Sequence, residues 1–554
     1  MSNLQNIFGI DLGTTYSCIS YVDEYKKPVI INNFENERTT PSIVFFDDDE
    51  VVVGNTAKSQ SSAFPGQAVY MIKRSMGDEN YIFQHKDSTY RPEEISAYIL
   101  KKLVNDTKKT KGIEVKDVVI TVPAYFGINE REATKKAGEL ANLNVRTLIN
   151  EPTAAAISYG IEKSEKDQVF LVYDLGGGTF DITMLETKEK EIKVICTGGD
   201  HKLGGKDWDN EVVNYIASQI EKETGDSLDN VLDNKETEID LNIKAEEIKK
   251  TLTTKEKALF SFNHEGIKIK GKIDRDDFYS LTEHLLERTI SLTKDMLKDA
   301  SEKGYNSFDK ILLVGGSTRM PQVFDKLKEE FSVEIEFHDP DESVAHGAAL
   351  FGYKIALDDE VKKKIKENSE KDYNNLDAVP TDEKEKAEEE VSKEQGMSLS
   401  EVKSRTETKI INVTSKGFGV VAESKDDEKK YVVNLISRND PVPVDRKRSF
   451  GTEKNNQETA SVIIMEHKSS KDGEYIDLEM CTEIGNAVLN LPSGLKEDSP
   501  IEISFSLAED GRLIVKAVEK NEGKNVEIIV ETQSVMKEKE FQDAKKRVDS
   551  ITVS

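Results

Sequence analysis

The spacing of hydrophobic and polar residues divides the chain into regions that predict different secondary structure. From about residue 7 to residue 356, short apolar runs alternate with stretches in which apolar residues recur every three or four positions. Residues 118–122 (VVITV) and 310–314 (KILLV) have the character of buried strands, and a predicted helix follows each of them. Alternating strands and helices are typical of an α/β fold, so we predict an α/β domain over residues 1–357.

The pattern changes at about Asp358. Residues 358–408 are dense in lysine and glutamate, and Ile365, Leu376 and Val379 are prominent among their few apolar residues. Such a composition predicts a solvated helix or a disordered linker that carries no site of its own. We therefore expect a charged linker, helical or disordered, over this segment.

Residues 409–532 alternate between apolar and polar with a period of two. Residues 501–507 and 513–517 each place apolar side chains on one face, and an Asp510-Gly511 pair lies between them. An Asp-Gly turn between two alternating runs is a strong hairpin signal. We predict an antiparallel β-sandwich domain over residues 409–532, followed by a short charged helix within residues 533–554.

Composition narrows the choice of partners and compartment. The chain has 554 residues, of which 33% are charged, and its formal net charge of −28 argues against nucleic acid or an anionic membrane as a partner. No apolar run reaches 18 residues, and the N-terminus has no signal-peptide pattern, so we expect a cytoplasmic monomer. Cys18, Cys196 and Cys481 are scattered without a CxxC pair, which argues against disulfides and zinc.

The candidate chemistry centres on residues 171–181 (LVYDLGGGTFD). Three apolar residues lead into Asp174, three glycines follow, and Thr179 and Asp181 come next. Because glycine has no Cβ, a phosphate can lie against the backbone N–H groups of such a turn. Carboxylates do not bind phosphate directly, so they imply a metal ion or its waters between them and the phosphate.

A second copy of this element lies near the start of the chain, in residues 8–15 (FGIDLGTT), where Asp11 corresponds to Asp174. A repeated element of this kind predicts two homologous halves that face one phosphate chain. The chain has no GxxxxGK[ST] sequence, so the predicted phosphate site is not a P-loop. Nucleotide binding is the interpretation that the repeat favours.

These motifs resemble those of the actin-like ATPases, and among them the 70-kilodalton heat-shock chaperones of the DnaK type. The resemblance covers residues 1–356 closely, through GIDLGTTYSCISYV, VVITVPAYFGINEREATKKAGELANLNVRTLINEPTAAAISYG, VYDLGGGTFDITML and ILLVGGSTRMPQV. Sugar kinases and actin-like filament proteins share the DLG hairpins but not TVPAYF or NEPTAAA. From residue 409 the resemblance to the chaperones' peptide-binding β domain is looser. It implies a duplicated, two-lobed ATPase domain of the actin-like, ribonuclease-H-like class.

The resemblance also implies roles for individual residues. The β- and γ-phosphates would be held by Gly13, Thr14, Thr15, Tyr16, Gly176, Gly177, Gly178 and Thr179, with Gly204 and Gly205 close to them. Asp11 and Asp174 would hold Mg²⁺ through water, with K⁺ as a further ion. The catalytic set would be Lys73, Glu151, Asp174 and Thr179, in which Lys73 contacts the γ-phosphate and Glu151 orients the attacking water. The adenosine would lie among Glu246, Lys249, Lys250, Thr253, Gly315, Gly316, Ser317, Arg319 and Asp341.

Several of these positions also have a plain structural interpretation. Lys249 and Lys250 fit an ordinary helix surface, and Asp207 and Trp208 fit packing better than catalysis. Pro123 and Arg131 match the family's switch proline and the arginine that relays nucleotide state to the second domain. In the β domain, Val420, Phe450 and Val462 are candidates for the peptide cleft, with ordinary β-core positions as the equal alternative.

Three departures from the family pattern stand out. First, we find no apolar docking linker before the β domain, so we expect the two domains not to be held together by one. Second, Gly127, Ile128 and Thr147 replace the residues that the family commonly places where a J-domain co-chaperone binds. Third, only about twenty residues follow the β domain, so we expect no helical lid.

The resemblance therefore implies an ATP-dependent chaperone that hydrolyses ATP and binds extended or unfolded polypeptides, with roles in protein folding and stress response. A J-domain co-chaperone and a nucleotide exchange factor would be its partners. One alternative is an ATP-binding scaffold, holdase or exchange-factor-like relative with weak or uncoupled hydrolysis. A second is a filament-forming actin relative, which the net charge and the added β domain disfavour.

Overall fold

Two sheets carry the α/β part of the chain. The computed structural model describes all residues except 1–3, 5, 49, 164–166, 189–190, 265, 374, 426, 470, 472, 510, 521–524 and 530–535. The predicted turn residue Asp510 therefore lies outside the described residues, while Gly511 lies within them with φ of +87°.

The first lobe is built on a six-stranded sheet with the order β11-β10-β1-β2-β3, in which β4 pairs with β2. The strands up to residue 150 are β1 Ile7–Asp11, β2 Tyr16–Val22, β3 Pro28–Ile31, β4 Thr40–Pro41, β5 Val44–Phe46, β6 Glu50–Val53, β7 Ala68–Val69, β8 Phe83–His85, β9 Ser88–Tyr90, β10 Asp117–Val122 and β11 Asn144–Asn150. The helices are α1 Asn55–Ser61, α2 Pro92–Lys111, α3 Ile128–Leu140 and α4 Glu151–Lys163. A separate small sheet contains β5, β6 and β7.

The second lobe repeats this arrangement in a sheet with the order β18-β17-β12-β13-β14. Its strands are β12 Gln168–Leu175, β13 Phe180–Lys188, β14 Glu191–Asp200, β15 Lys257–His264, β16 Ile267–Asp274, β17 Lys310–Val314 and β18 Glu334–Phe337. Its helices are α5 Gly205–Thr224, α6 Leu228–Asp233, α7 Lys235–Thr254, α8 Arg275–Glu302, α9 Pro321–Glu330 and α10 Ser343–Ser369. In both lobes the central strand, β1 or β12, has a parallel neighbour on one side and an antiparallel neighbour on the other.

The segment after α10 is helical but is not a solvated spacer. It contains a 3₁₀ turn at Leu376–Ala378 and the helices α11 Thr381–Glu394 and α12 Leu399–Thr406. Its apolar side chains share one core with Ile365 of α10, and the buried ones are Leu376, Val379, Ala387, Val391, Met397 and Val402. The expectation of a segment exposed to solvent was therefore wrong, because apolar residues spaced along two short helices meet one face of α10.

A docking strand precedes the β domain, contrary to our prediction. Strand β19 Lys409–Val413 pairs in parallel with the edge strand β14, with Ile410 opposite Ile192 and Ile411 opposite Lys193. The residues KIIN are too few and too polar at their ends to stand out as an apolar run. The edge of a sheet supplies the remaining hydrogen-bonding groups, so a short strand is sufficient.

The β domain is a sandwich of two sheets, as the alternating pattern predicted. Its further strands are β20 Gly417–Glu423, β21 Lys430–Ile436, β22 Pro441–Val442, β23 Val444–Gly451, β24 Thr459–His467, β25 Tyr475–Ile476, β26 Thr482–Asn490, β27 Pro500–Leu507, β28 Leu513–Glu519 and β29 Asn525–Ile529. The sheets have the orders β25-β21-β20-β24-β26 and β23-β27-β28-β29, and strand β22 pairs with β19 instead. Phe505 and Val515 are fully buried in the shared core.

The last described segment returns to the first lobe. Helix α13 Glu538–Ser550 is followed by strand β30 Thr552–Val553, which pairs with β6. Ala544, Val548 and Val553 are buried in the core of the first lobe. No helix within the described residues is long and apolar enough to cross a membrane.

Candidate functional site

The two glycine turns lie against each other where the lobes meet. One joins β1 to β2, and the other joins β12 to β13. A Cβ at Gly177 would lie 2.2 Å from Thr15 Oγ1, and a Cβ at Gly178 would lie 2.3 Å from Thr14 Cγ2. Such distances are far below van der Waals contact, so the approach of the two turns requires glycine at both positions.

The turns present unused hydrogen-bond donors. Within the described part of the chain, the backbone N–H groups of Thr14, Thr15, Gly177 and Gly178 donate no hydrogen bond. Successive free N–H groups in a turn form a concave site for an anion. The geometry therefore suits a phosphate chain between the two turns.

A second layer holds the turn of the second lobe in place. The N–H of Gly205 donates to the Gly176 carbonyl (2.9 Å), and the hydroxyl of Ser317 donates to the same carbonyl (2.9 Å). A Cβ at Gly204 would lie 2.6 Å from the backbone of Gly178. Gly204 and Gly205 thus support the turn from behind, and their closeness to the phosphates stays a prediction.

A cleft of about 560 Å³ separates the lobes at these turns, which is large enough for a nucleotide. It brings together most of the residues predicted for the site. The predicted residues that line it are Asp11, Gly13, Thr14, Thr15, Tyr16, Lys73, Glu151, Asp174, Gly176, Gly177, Thr179, Glu246, Lys249, Lys250, Thr253, Gly315, Gly316, Ser317, Arg319 and Asp341. Gly178 packs behind the surface, and Pro123 and Arg131 lie outside the cleft.

Four acidic side chains surround one lysine at the base of the cleft. Lys73 forms an ion pair with Glu151, and both side chains are buried. The hydroxyl of Thr121 donates to Asp11 (2.8 Å). Burial and the nearby Glu151 raise the pKa of Asp11 to about 6, and they also raise the pKa values of Asp174 and Asp181 well above the usual value of an aspartate. Burial alone would lower the pKa of Lys73, but Glu151 and Asp11 outweigh it and raise that pKa.

This cluster fits a cation held through water. One lysine cannot neutralise four carboxylates, and Asp181 Oδ2 is buried without a hydrogen-bond partner among the described residues. No group of three or more acidic, histidine or cysteine side chains in the described residues is arranged to bind a metal directly. Mg²⁺ keeps several of its waters in proteins, so carboxylates that do not bind a metal directly can still hold it through its hydration shell.

Asp181 is a site residue that our sequence prediction named within the motif but did not include among the catalytic or Mg²⁺-binding residues. It pairs with Asp174 across β12 and β13, and it accepts a hydrogen bond from the N–H of Ala124 (3.0 Å). The sequence feature that could have identified it is its place as the second acidic residue of the DLGGGTFD motif. Asp209 was also missed: it lines the cleft and forms a buried ion pair with Lys249 (2.9 Å).

The far end of the cleft is crossed by a polar bridge between the lobes. The Tyr16 hydroxyl donates to Glu246 (3.1 Å), and Lys250 pairs with the same carboxylate (2.7 Å). Burial would raise the pKa of Glu246, but Lys58 and Lys250 lower it to about 2. Arg319 and Asp341 form an exposed ion pair (2.6 Å) beside Gly316. These residues surround the place that our prediction gives to adenosine.

The predicted switch residues lie between the cleft and the β domain. Ala124, which follows Pro123, donates its N–H to Asp181 in the site. Arg131 donates to the carbonyl of Phe126 (3.0 Å) and to Asn150 (2.5 Å), and it packs against Gly511 of the β domain. Their position links the two parts of the chain, and their switch role stays a prediction.

Two of the residues that depart from the family pattern are part of the domain interface. Ile128 is buried in the core of the β domain, although it begins helix α3 of the first lobe. A Cβ at Gly127 would lie 2.5 Å from Glu466 Oε2 of strand β24. Thr147 lies in β11 and is partly exposed. Gly127, which has no side chain, and the apolar Ile128 thus let the β domain pack closely against α3.

The three peptide-cleft candidates do not line an open groove. Val420 and Val462 are buried between the two sheets, and Phe450 packs against that core from its edge. These positions agree with the alternative of ordinary core residues. A peptide could reach Val420 and Val462 only if the sandwich opened.

Comparisons with known proteins agree over both parts of the chain. The family model described as Hsp70 protein matches residues 7–365 and 395–553. The chaperone protein DnaK of Halobacterium salinarum is 42% identical over 355 residues, which is 63% of this chain and 56% of that protein. The DnaK proteins of Mesomycoplasma hyopneumoniae and Mycoplasma mobile are 35% and 33% identical over 97% and 98% of this chain, and the matches cover 80% and 81% of their lengths.

The family match leaves out residues 366–394, which include the whole of α11. The alignment with the Halobacterium protein spans little more than half of that protein. The match on both sides of the gap nevertheless covers the cleft, the docking strand and the β domain. The chain belongs to the Hsp70 family of chaperones.

Proposed function

We propose that this chain is an ATP-dependent chaperone. In this proposal, residues 1–357 form an actin-like, two-lobed ATPase domain, and residues 409–532 form a domain that binds extended polypeptide. The observation that carries the proposal is the pair of glycine turns, which meet at one cleft above a buried cluster of carboxylates and Lys73. Membership of the Hsp70 family supports it.

The phosphates of ATP would lie against the N–H groups of Thr14, Thr15 and Gly177, while Gly178 would let the two turns approach each other. Mg²⁺, when bound, neutralises phosphate charge, and Asp11 and Asp174 would hold it through its waters, with K⁺ as a further ion. Lys73 would place its ammonium group at the γ-phosphate, where charge develops during transfer. Glu151 and Asp174 would accept hydrogen bonds from the attacking water and orient it. Thr179 would position the terminal phosphate.

Contacts between the domains supply a route for coupling. Asp181 contacts Ala124 beside Pro123, and Thr153 of helix α4 donates to Asn412 of the docking strand (3.0 Å). The N–H of Thr197 donates to Asn439 of the β domain (3.1 Å). A change at the phosphates that moved Asp181 or Glu151 would therefore act on residues that hold the β domain. We infer that nucleotide state controls this docking.

Val420 and Val462 are buried between the two sheets of the docked β domain, so we propose that apolar peptides bind chiefly when release of the domain also lets its sandwich open. J-domain and exchange-factor partners are part of the proposal. The docked β domain covers Gly127 and Ile128, so a J-domain partner would need other contacts or the undocked form.

Two measurements on the full chain test the proposal. Steady-state phosphate release with Mg²⁺ and ATP should be measurable and should be lost when EDTA is added. Affinity for a labelled apolar peptide should be several-fold higher with ADP than with ATP. ATP binding without phosphate release would favour a scaffold or holdase, and equal peptide affinity in both nucleotides would contradict coupling.

A further inference from the structure

The segment of residues 537–554, which we name the C-terminal strap, contacts parts of the first lobe that are far apart in sequence. It consists of helix α13 and strand β30. Helix α13 lies against α2 and α3, and β30 extends the small sheet of β5, β6 and β7. The strap therefore connects the small sheet to the helical layer beneath it.

The strand end of the strap covers a sheet edge. Thr552 and Val553 pair in parallel with Glu50 and Val51 of β6. The N–H of Ser554 donates to the Val51 carbonyl (3.1 Å), and the N–H of Val53 donates to the Ser554 carbonyl (3.0 Å). Addition of a strand to an open edge satisfies backbone groups that otherwise require water.

The helix end of the strap is held by a charged pair at a buried position. Arg547 donates two hydrogen bonds to Glu94 of α2 (2.9 and 2.7 Å), and the Glu94 side chain is completely buried. The guanidinium also lies 5.6 Å from the centre of the Tyr90 ring. A bidentate pair of this kind fixes both position and orientation.

The C-terminal ends of α3 and α13 are each capped by a lysine from another helix. Lys545 of α13 donates to the carbonyls of Glu139 (2.7 Å) and Leu140 (3.0 Å), at the end of α3. Lys101 of α2 donates to the carbonyls of Val548 and Ile551, at the end of α13. Terminal helix carbonyls have no partner within their own helix, so these two lysine caps stabilise the contacts of α13 with α3 and with α2.

The surfaces that the strap joins also carry residues of the cleft. Helix α2 packs against the turn Ile72–Ser75, which contains Lys73, and the Ser96 hydroxyl contacts Met76 Sδ (3.3 Å). The small sheet leads into helix α1, where Lys58 forms an ion pair with Glu246 of the second lobe. The strap thus connects helix α2, which supports the turn that contains Lys73, to helix α1, which closes the far end of the cleft.

We propose that the strap is a brace that keeps the nucleotide cleft closed, and that its release speeds nucleotide dissociation. When the strap is docked, β6 and α1 are tied to α2 and α3, so the Lys58–Glu246 contact persists. When it is undocked, the small sheet is held only by its other contacts and the cleft opens more often. This inference rests on the proposed nucleotide binding.

The test is the release rate of fluorescently labelled ADP from the full chain, measured by stopped flow. Val553→Asp places a charge in the buried strand end, and the paired variant Arg547→Ala with Glu94→Gln removes the ion pair without leaving a buried charge unpaired. Both should release labelled ADP about tenfold faster than the parent chain. Lys546→Ala, on the exposed side of the same helix, is the matched control and should keep the parent rate.

A second measurement uses the chain shortened to residues 1–536 together with a synthetic peptide of residues 537–554. The peptide should restore slow release and protect the amides of Val51 and Val53 from hydrogen exchange, whereas a peptide with Val553→Asp should do neither. If the parent and the variants all bind labelled ADP and release it at the same rate, the strap inference alone is overturned. Absence of ADP binding to the parent would overturn the proposed function and this inference with it, while amide protection would still report docking.

Discussion

At the scale of single residues, the base of the cleft is defined by an excess of buried negative charge. Asp11, Glu151, Asp174 and Asp181 converge on Lys73, and burial raises the pKa of the three aspartates. Folding alone does not explain such a cluster, because buried charges are costly unless they are paired. A cation bound through water would lower these pKa values and relieve the cost, so the residues are arranged for a bound state.

Lys73→Ala should leave ATP bound but reduce hydrolysis on the order of 10²–10³-fold, because the γ-phosphate loses its fixed positive charge. Single-turnover hydrolysis and equilibrium binding of labelled ATP separate the two effects. Lys328→Ala, on the exposed surface of α9, is the matched control. A single-turnover rate within a few-fold of the parent would remove this role from Lys73.

Asp11→Asn should stabilise the metal-free chain at neutral pH. The pKa of Asp11 is raised from 3.8 to about 6, so the native state keeps a proton that the unfolded chain releases. Stability from this group is therefore present at low pH and is lost as pH rises through about 6. Without Mg²⁺ the variant should gain on the order of 1–3 kcal/mol at pH 7.5 and much less at pH 4.

Thermal unfolding in EDTA at pH 4 and pH 7.5 measures this difference, with the exposed Asp325→Asn as control. An equal gain at both pH values would mean that the carboxylate of Asp11 is not destabilised in the native state. Added Mg²⁺ with nucleotide should reverse the order at pH 7.5, because only the parent offers a charged ligand.

At the scale of elements, strand β19 determines how the β domain meets the second lobe. It pairs with β14 on one side and with β22 on the other, so the larger sheet continues into the β domain. Residues 366–394, which the family match leaves out, fold back on α10 and therefore do not hold the domains apart. We predicted no docking linker before the β domain, but strand β19 at the end of this segment supplies the contact.

Ile410→Asp should detach β19 from β14. Ile410 packs against the core beside α10, and removal of that burial costs about 2 kcal/mol before the cost of placing a charge there. Hydrogen exchange of the amides in residues 191–193 and 410–412 should be at least tenfold faster than in the parent. Lys409→Ala is the control, because its side chain is exposed and makes only a surface ion pair. Protection equal to that of the parent would contradict the docking role of this strand.

At the scale of the whole molecule, the domain interface contains a second charged cluster. Glu130 of α3 and Glu466 of β24 approach the same point beside Gly127, and Lys416 pairs with Glu466 (2.7 Å). Burial and the charge of Glu466 raise the pKa of Glu130, and the nearby Lys416 opposes them. Ionised Glu130 therefore weakens docking, whereas Ile128 strengthens it by apolar burial.

Glu130→Gln should strengthen docking at neutral pH. In the parent, the raised pKa means that docking is favoured at low pH and weakened as pH rises through the docked-state pKa of Glu130. The variant removes this slope, which fluorescence energy transfer between dyes on the two domains can follow from pH 5 to 8. Glu139→Gln, later in the same helix, should keep the parent's slope. If Glu130→Gln kept the parent's pH dependence of docking, Glu130 would be excluded as the cause of that dependence.

The sequence was sufficient for the family, the mixed α/β and β architecture, and the residues that line the cleft. Glycine turns, carboxylates and a lysine in a motif indicate a phosphate site in the sequence itself. Phosphate binding and transfer require these residue types in any fold, so the motif can be recognised before the fold is known. Asp181 and Asp209 could have been inferred from their motifs. Alternating apolar residues predicted the β sandwich for a similar reason, since the pleat imposes a period of two.

Contacts between distant segments were decided only by the tertiary structure. No local periodic pattern predicts four of these contacts. They are the packing of the charged segment on α10, the docking of β19, the burial of Ile128 in the β domain and the return of residues 537–554 to the first lobe. Each joins a short, partly polar segment to a surface or sheet edge formed elsewhere in the chain. The local sequence determines what such a segment can bury or pair, and only the folded surface opposite it determines whether that happens.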